Sequence, residues 1–201
     1  MIAALRRLRE GNIRFLTNQR LGHPHMPELA AGQQPFAIIL GCSDSRVPAE
    51  IVFDQGLGDL FVIRVAGNIV APSQVGSVEF AATRYGTRLV VVLGHSQCGA
   101  VLATLEELRR PAESQSRNLR SIVDRIRPSV EPLLVSKGPQ DEDTLVREAV
   151  RANVRGAVAQ LRQGSEILQQ LISQESLLVV GAEYSLETGA VEFFEGLPAE
   201  D

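Results

Sequence analysis

Four short apolar runs punctuate the chain: Phe36-Ala37-Ile38-Ile39-Leu40, Leu60-Phe61-Val62-Ile63-Arg64-Val65, Leu89-Val90-Val91-Val92-Leu93 and Leu177-Leu178-Val179-Val180-Gly181-Ala182. Runs this short with continuous apolarity predict strands covered on both faces. The spacing between them is helical. Leu5, Leu8, Ile13, Phe15 and Leu16 predict an amphipathic helix within 2–20, with Gly11 weakening its middle. Segment 21–35, with Pro24, Pro27, Gly32 and Pro35, reads as a loop, and Ala49 to Phe53 as a helical turn. Val75, Val78, Ala81 and Ala82 predict a helix over 74–85. Cys98 opens another through Val101, Leu102, Leu105 and Leu108, ended by Pro111. A helix is expected near 116–135, then a loop from Ser136 to Glu142. Asp143 or Thr144 is expected to cap a long helix with Val146, Ala149, Val150, Val154, Ala157, Val158 and Leu161 facing inward. Gly164-Ser165 breaks it and caps a continuation to Gln174. Tyr184 to Phe194 reads as a hairpin turning at Thr188-Gly189.

Strands alternating with helices predict one α/β domain over 1–201. The expected core, 36–196, is a mainly parallel four-stranded sheet with an antiparallel edge strand, flanked by helices. Residues 2–20 form an N-terminal helical arm. In such sheets ligands collect at the carboxyl ends of strands.

The 201 residues are 44% hydrophobic and 22% charged, ordinary for a soluble domain with a substantial core. A formal charge of -4 gives no reason to expect nucleic acid or an acidic membrane surface as partner. No apolar stretch reaches the roughly 18 residues of a membrane span. The first ten residues lack the apolar core of a secretory signal, so the expected compartment is the cytoplasm.

The chemistry sits just past two of the strands, in Gly41-Cys42-Ser43-Asp44-Ser45-Arg46 and Gly94-His95-Ser96-Gln97-Cys98-Gly99. They hold the protein's only two cysteines. Two thiolates and an imidazole are the donor set of a catalytic zinc with one position left open. Asp44 has two available partners: the metal, as a fourth ligand, or the Arg46 guanidinium, which can clamp it bidentately. Only the second leaves room for water, whose acidity zinc raises to yield a hydroxide nucleophile. A Cys42–Cys98 disulfide is the alternative, and it leaves His95 and Asp44 without a role. His23 and His25 read most simply as solvated loop residues; proton relay is the sharper alternative.

Cys42-Ser43-Asp44-Ser45-Arg46 followed by His95-x-x-Cys98 resembles the β-class carbonic anhydrases of bacteria and plants. The similarity extends from Gly11-Asn12-Ile13-Arg14-Phe15, through Phe53-Asp54-Gln55-Gly56 and Arg64-Val65-Ala66-Gly67-Asn68, to Gly181-Ala182-Glu183-Tyr184. The resemblance implies reversible hydration of carbon dioxide to bicarbonate and a proton by a zinc-bound hydroxide. One Zn2+ per subunit would be held by Cys42, His95 and Cys98. Asp44 and Arg46 would gate and orient the hydroxide, and Gln33 would donate a hydrogen bond to a substrate oxygen. Phe61, Val65, Ala66, Phe80 and Gly99 would line an apolar pocket; Phe80 stands where the family often has tyrosine. The family also implies a homodimer or homotetramer, with the site at the dimer interface and the N-terminal helix embracing the partner. Arg64 and Tyr184 match two positions of a regulatory bicarbonate site found in some members, whereas its tryptophan position is Ile39. Hydrolysis of carbonyl sulfide or carbon disulfide on the same frame, or a non-catalytic zinc protein, are the rival readings. Two thiolates neutralise the metal's charge and acidify its water less than three imidazoles would. Activity is therefore expected to be best at alkaline pH; a rate–pH profile already flat at about pH 6 contradicts this.

Overall fold

The structure is a computed structural model that describes residues 1–22, 27–111, 116–136 and 141–198. Strands β1 (Ala37–Gly41), β2 (Leu60–Arg64), β3 (Leu89–His95), β4 (Leu178–Tyr184) and β5 (Val191–Glu195) form one sheet in the order β2-β1-β3-β4-β5. The first four are parallel, and β5 returns antiparallel to β4. Every residue of β1 and β3 is buried, as their unbroken apolarity requires.

Alternate residues of β1 feed opposite faces of the sheet. Ile38 and Leu40 pack with α3 (Pro72–Arg84), α6 (Glu142–Gln163) and α7 (Glu166–Ser173), through Val78, Ala81, Val154, Val158 and Leu168. Ala37 and Ile39 pack with α1 (Ile2–Leu16) and α2 (Ala49–Val52), through Leu5, Leu8 and Val52. A third apolar cluster caps the carboxyl ends of the strands. It joins Val101 and Leu105 of α4 (Gly99–Arg109) and Ile126 and Val130 of α5 (Arg117–Ser136) to Val146 and Val150 of α6, around Cys42 and Cys98.

The helix expected near 116–135 is α5, which runs unbroken through Pro128 and Pro132, both at exposed positions. Two expectations change. The cap of α6 is Asp141, whose carboxylate accepts the Thr144 N–H at 3.0 Å, not Asp143 or Thr144. Gly11 does not weaken α1 but docks it. A Cβ there would lie 1.7 Å from the Phe53 carbonyl oxygen, so only glycine lets the helix come this close. Its neighbour Asn12 then reaches across: Nδ2 donates to the Val52 (3.1 Å) and Gly189 (2.9 Å) carbonyls, and Oδ1 accepts the Val191 N–H (2.9 Å). Arg14 pairs with Asp54 at 2.5 Å. The helix is packed on its own chain, and its other side exposes Ile2, Ile13 and Leu16.

Residues 137–140 of the expected loop and the terminal 199–201 lie outside the described residues. Among the described residues, no helix is long and apolar enough to cross a membrane.

Gly11→Ala is expected to destabilise the fold by about 3 kcal/mol, since the added methyl meets backbone that cannot move aside. A lowered urea midpoint with an unchanged slope is the expected readout; an unchanged midpoint contradicts this docking.

Candidate metal centre

Gly41, the last residue of β1, pairs with Leu93, and β3 runs two residues further to His95. Cys42 follows β1 directly, and His95 is the last residue of β3, opposite Tyr184 on β4. Cys98 occupies the N-cap position of α4. One ligand atom from each of Cys42, His95 and Cys98 lies within 4.8 Å of the other two, and all three residues are buried. Both cysteines are free, so the disulfide alternative is not realised.

The donors are prepared for a cation. His95 Nδ1 lies 2.9 Å from the Ser96 carbonyl, which fixes the proton on Nδ1 and leaves the Nε2 lone pair to ligate. Nε2 is buried and, among the described residues, has no hydrogen-bond partner, a state that costs about 1–3 kcal/mol if nothing binds there. Cys42 Sγ accepts backbone N–H groups from Asp44 and Gly67, each at 3.4 Å. Interaction with Cys98 is the main reason the Cys42 thiol is lowered to about 4, against burial; the two amides add to the effect. The same interaction with Cys42, joined by burial, raises Cys98. One thiolate is thus ready, and a cation that soft donors prefer would hold both deprotonated. The donor set fits zinc.

Gly67 reaches the sulfur because it adopts φ 70°, where a Cβ would strike Ile126 at 2.8 Å. Asn153, buried in α6, donates to the Gly67 carbonyl at 2.8 Å and holds this turn in place. Sequence reasoning missed Asn153; the available signal was a lone amide on an otherwise apolar helix face.

Asp44 is clamped by Arg46. Nε donates to Oδ1 at 2.9 Å, Nη2 to Oδ2 at 2.7 Å, and the Arg46 N–H to Oδ1 at 3.0 Å. The Arg46 guanidinium accordingly holds the Asp44 carboxyl well below the usual carboxylate range. Asp44 Oδ2 nevertheless stands 3.9 Å from His95 Nε2, beside the ligand cluster. Arg64 braces the loop from below, donating to the carbonyls of Cys42 (2.9 Å) and Asp44 (2.6 Å).

The remaining expected site residues divide between the two ends of the sheet. Val65 exchanges backbone hydrogen bonds with Gly41 and Ser43, Ala66 opens the turn that carries Gly67, and Gly99 follows Cys98; all three border the metal centre. Gln33 precedes β1, and five strand residues, about 16 Å, separate its end of the sheet from Cys42. There its Nε2 donates to the Tyr85 hydroxyl at 3.1 Å. Tyr85 joins Phe61 and Phe80 in an aromatic cluster with centroids 5.6–6.3 Å apart. Of the residues matched to a regulatory bicarbonate site, Arg64 is engaged with the loop carbonyls. Tyr184 is buried against Phe15 in the same cluster as Ile39. His23 and His25 lie outside the described residues.

A sequence profile of the carbonic anhydrase family matches residues 37–191. Carbonic anhydrase 2 of Mycobacterium tuberculosis is 43% identical over 193 residues, covering 94% of this chain and 90% of that protein. Among solved structures, a β-carbonic anhydrase of Aspergillus fumigatus superposes with a TM-score of 0.75 at 27% identity, over 86% of this chain and 81% of the other. One of the tetrameric β-carbonic anhydrases of Sordaria macrospora superposes with a TM-score of 0.71 at 25% identity, over 84% of each chain. The four parallel strands with their antiparallel edge, the buried Cys/His/Cys cluster at their carboxyl ends and this similarity along nearly the whole chain converge: the chain belongs to the β-class carbonic anhydrases, the carbonate dehydratases that interconvert carbon dioxide and bicarbonate.

Proposed function

We propose that the chain binds one zinc ion through Cys42, His95 and Cys98, and that Asp44, held by Arg46, selects and orients the oxygen that reacts there. The unpartnered, buried His95 Nε2 between two thiols carries this reading. Zinc held in this way would supply a Lewis acid that lowers the pKa of water, though less than with three imidazole ligands.

The chain's own groups do the rest. Because Arg46 occupies both Asp44 oxygens, the carboxylate stays ionised and turned toward its own loop. Its charge, 3.9 Å from His95 Nε2, disfavours a bare anion beside the cluster. Its remaining lone pairs accept a hydrogen bond only from an oxygen that carries a proton, such as water or the hydroxyl of bicarbonate. Val65, Ala66 and Gly99 offer a surface with few polar groups, suited to uncharged carbon dioxide. A purely structural metal site would have no use for the Asp44–Arg46 clamp, which argues against a non-catalytic zinc protein. Hydrolysis of carbonyl sulfide or carbon disulfide is separated by assay on those substrates.

Gln33, Phe61 and Phe80 cannot reach their own chain's cluster from the other end of the sheet. We place them in the site of a second copy: one protomer supplies the metal ligands and the clamp, and the partner's Gln33, Phe61 and Phe80 complete the pocket. Phe80 is 50% exposed beside a polar amide, a surface that an oligomer would cover. The exposed side of α1 adds Ile13 and Leu16 to the surface available for assembly. The tetrameric relatives of Sordaria macrospora are consistent with a homo-oligomer here.

Metal analysis is expected to find one zinc per chain in the purified protein and none in Cys98→Ser, which should also lose carbon dioxide hydration. Full activity in a chelated protein shown to contain no zinc would overturn the assignment. Arg46→Ala frees Asp44 and is expected to lower kcat/KM by about 100-fold or more, with secondary structure retained. A wild-type rate in that variant would remove the clamp from the mechanism. Co-expression of Gln33→Ala with Cys98→Ser chains should restore activity, since the hybrid assembles one intact site from two defective chains. Mixed assemblies no more active than their parents would place Gln33 outside the partner's site.

A further inference from the structure

Among the described residues, the polar end of Gln33 is held by one group. Gln33 is exposed, with a flexible side chain whose ordering costs about 1.5–2 kcal/mol, yet its Nε2 is fixed at 3.1 Å from the Tyr85 hydroxyl. The two backbone segments are themselves tied together, because buried Thr87 donates its hydroxyl to the Pro35 carbonyl at 2.8 Å. Tyr85 caps α3, and its ring sits edge-on against Phe80 (5.6 Å, 84°) and tilted against Phe61 (6.1 Å). Gln33 and Tyr85 also line one recess, with Gln34 and Arg84. The ring is fixed by its aromatic neighbours, so its hydroxyl is a stationary acceptor at the margin of an apolar patch.

We propose that Tyr85 is a positioning residue for carbon dioxide hydration: its hydroxyl accepts one Gln33 amide N–H and so aims the second N–H at the substrate oxygen in the partner's site. Tyr85 does not touch the substrate. It sets the amide orientation and removes the rotamers that Gln33 would otherwise sample, so the donor arrives already ordered. Phe80, next to it, has no hydroxyl to share this work. The proposal rests on the shared-site reading of Gln33 given above.

The test is a double-mutant cycle on the full zinc-loaded protein, read as kcat/KM for carbon dioxide hydration. Tyr85→Phe keeps the ring, and thus the packing on Phe61 and Phe80, and removes only the acceptor. It is expected to lower kcat/KM by about five- to tenfold, the worth of one neutral hydrogen bond, with unchanged thermal midpoint, oligomer mass and zinc content. Gln33→Ala is expected to lower it by about 100-fold. The double variant should be no slower than Gln33→Ala, because Tyr85 acts only through that amide. If Tyr85→Phe is as fast as wild type while Gln33→Ala is impaired, the positioning role is overturned and the shared site stands. Multiplying losses in the double variant would likewise overturn it, by giving Tyr85 an effect of its own. If Gln33→Ala is itself unimpaired, the shared-site reading falls and this proposal with it.

Discussion

A parallel sheet delivers the carboxyl ends of its strands to one edge, and everything at the metal centre depends on that constraint. Because β1 and β3 are neighbours with Gly41 level with Leu93, Cys42 and His95 have nowhere to go except beside each other. The α4 helix starts immediately beyond and brings Cys98 to the same point without a long loop. The apolar cap of Val101, Ile126, Val130 and Val150 then closes over the sulfurs. Burial would make an unpaired imidazole nitrogen and two thiols a liability, at about 1–3 kcal/mol for the nitrogen alone. The same burial would favour a cation that satisfies all three donors at once. The cap and the donor set therefore form one device: the shell that penalises an empty site also excludes bulk water from a filled one.

Much of this was legible in the sequence because the residues concerned are rare and their order is periodic. With only two cysteines in the chain, each at a strand end, the ligand set left few arrangements to consider. Asp44 and Arg46 are two positions apart in sequence, so their clamp needed no tertiary information. Gly11 was misread for the opposite reason. Helix propensity registers only the glycine's conformational freedom, whereas its value here is the Phe53 carbonyl against which it lies, and that neighbour is 42 positions away. Asn153 was hidden among valines and alanines whose periodicity it does not interrupt. Tyr85 carried no motif at all; its importance depends on the Thr87–Pro35 bond that brings two distant segments together.

The division of the expected pocket between two ends of the sheet could not be read from spacing, since spacing does not say which end of a strand a loop occupies. Gln33 and Cys42 flank the same strand, and a strand is a rod: residues before and after it are held apart by its length, about 16 Å for β1. A single chain therefore cannot bring Gln33 to the cluster by any rotamer change. Either the amide has no part in the reaction, or another chain presents it. The surroundings of Gln33 favour the second. An isolated surface glutamine has no need of an aromatic platform, and an exposed Phe80 next to it is unfavourable unless something covers it.

The two arginines of the loop show how charge is distributed around the cluster. Arg46 binds the side chain of Asp44, and Arg64 binds the backbone carbonyls of Cys42 and Asp44. Each cation neutralises negative or partly negative oxygen that would otherwise lie close to two thiols, one of them readily ionised. Arg64 cannot leave those carbonyls for a bound anion without loosening the loop that carries Asp44. With Ile39 buried in the sheet core, no nearby indole is available to compensate. A regulatory bicarbonate at Arg64 would therefore have to act by disrupting the site's own scaffold. On the proposed reading, the closer control on the reaction lies in which partner Asp44 takes, and in this structure that partner is Arg46.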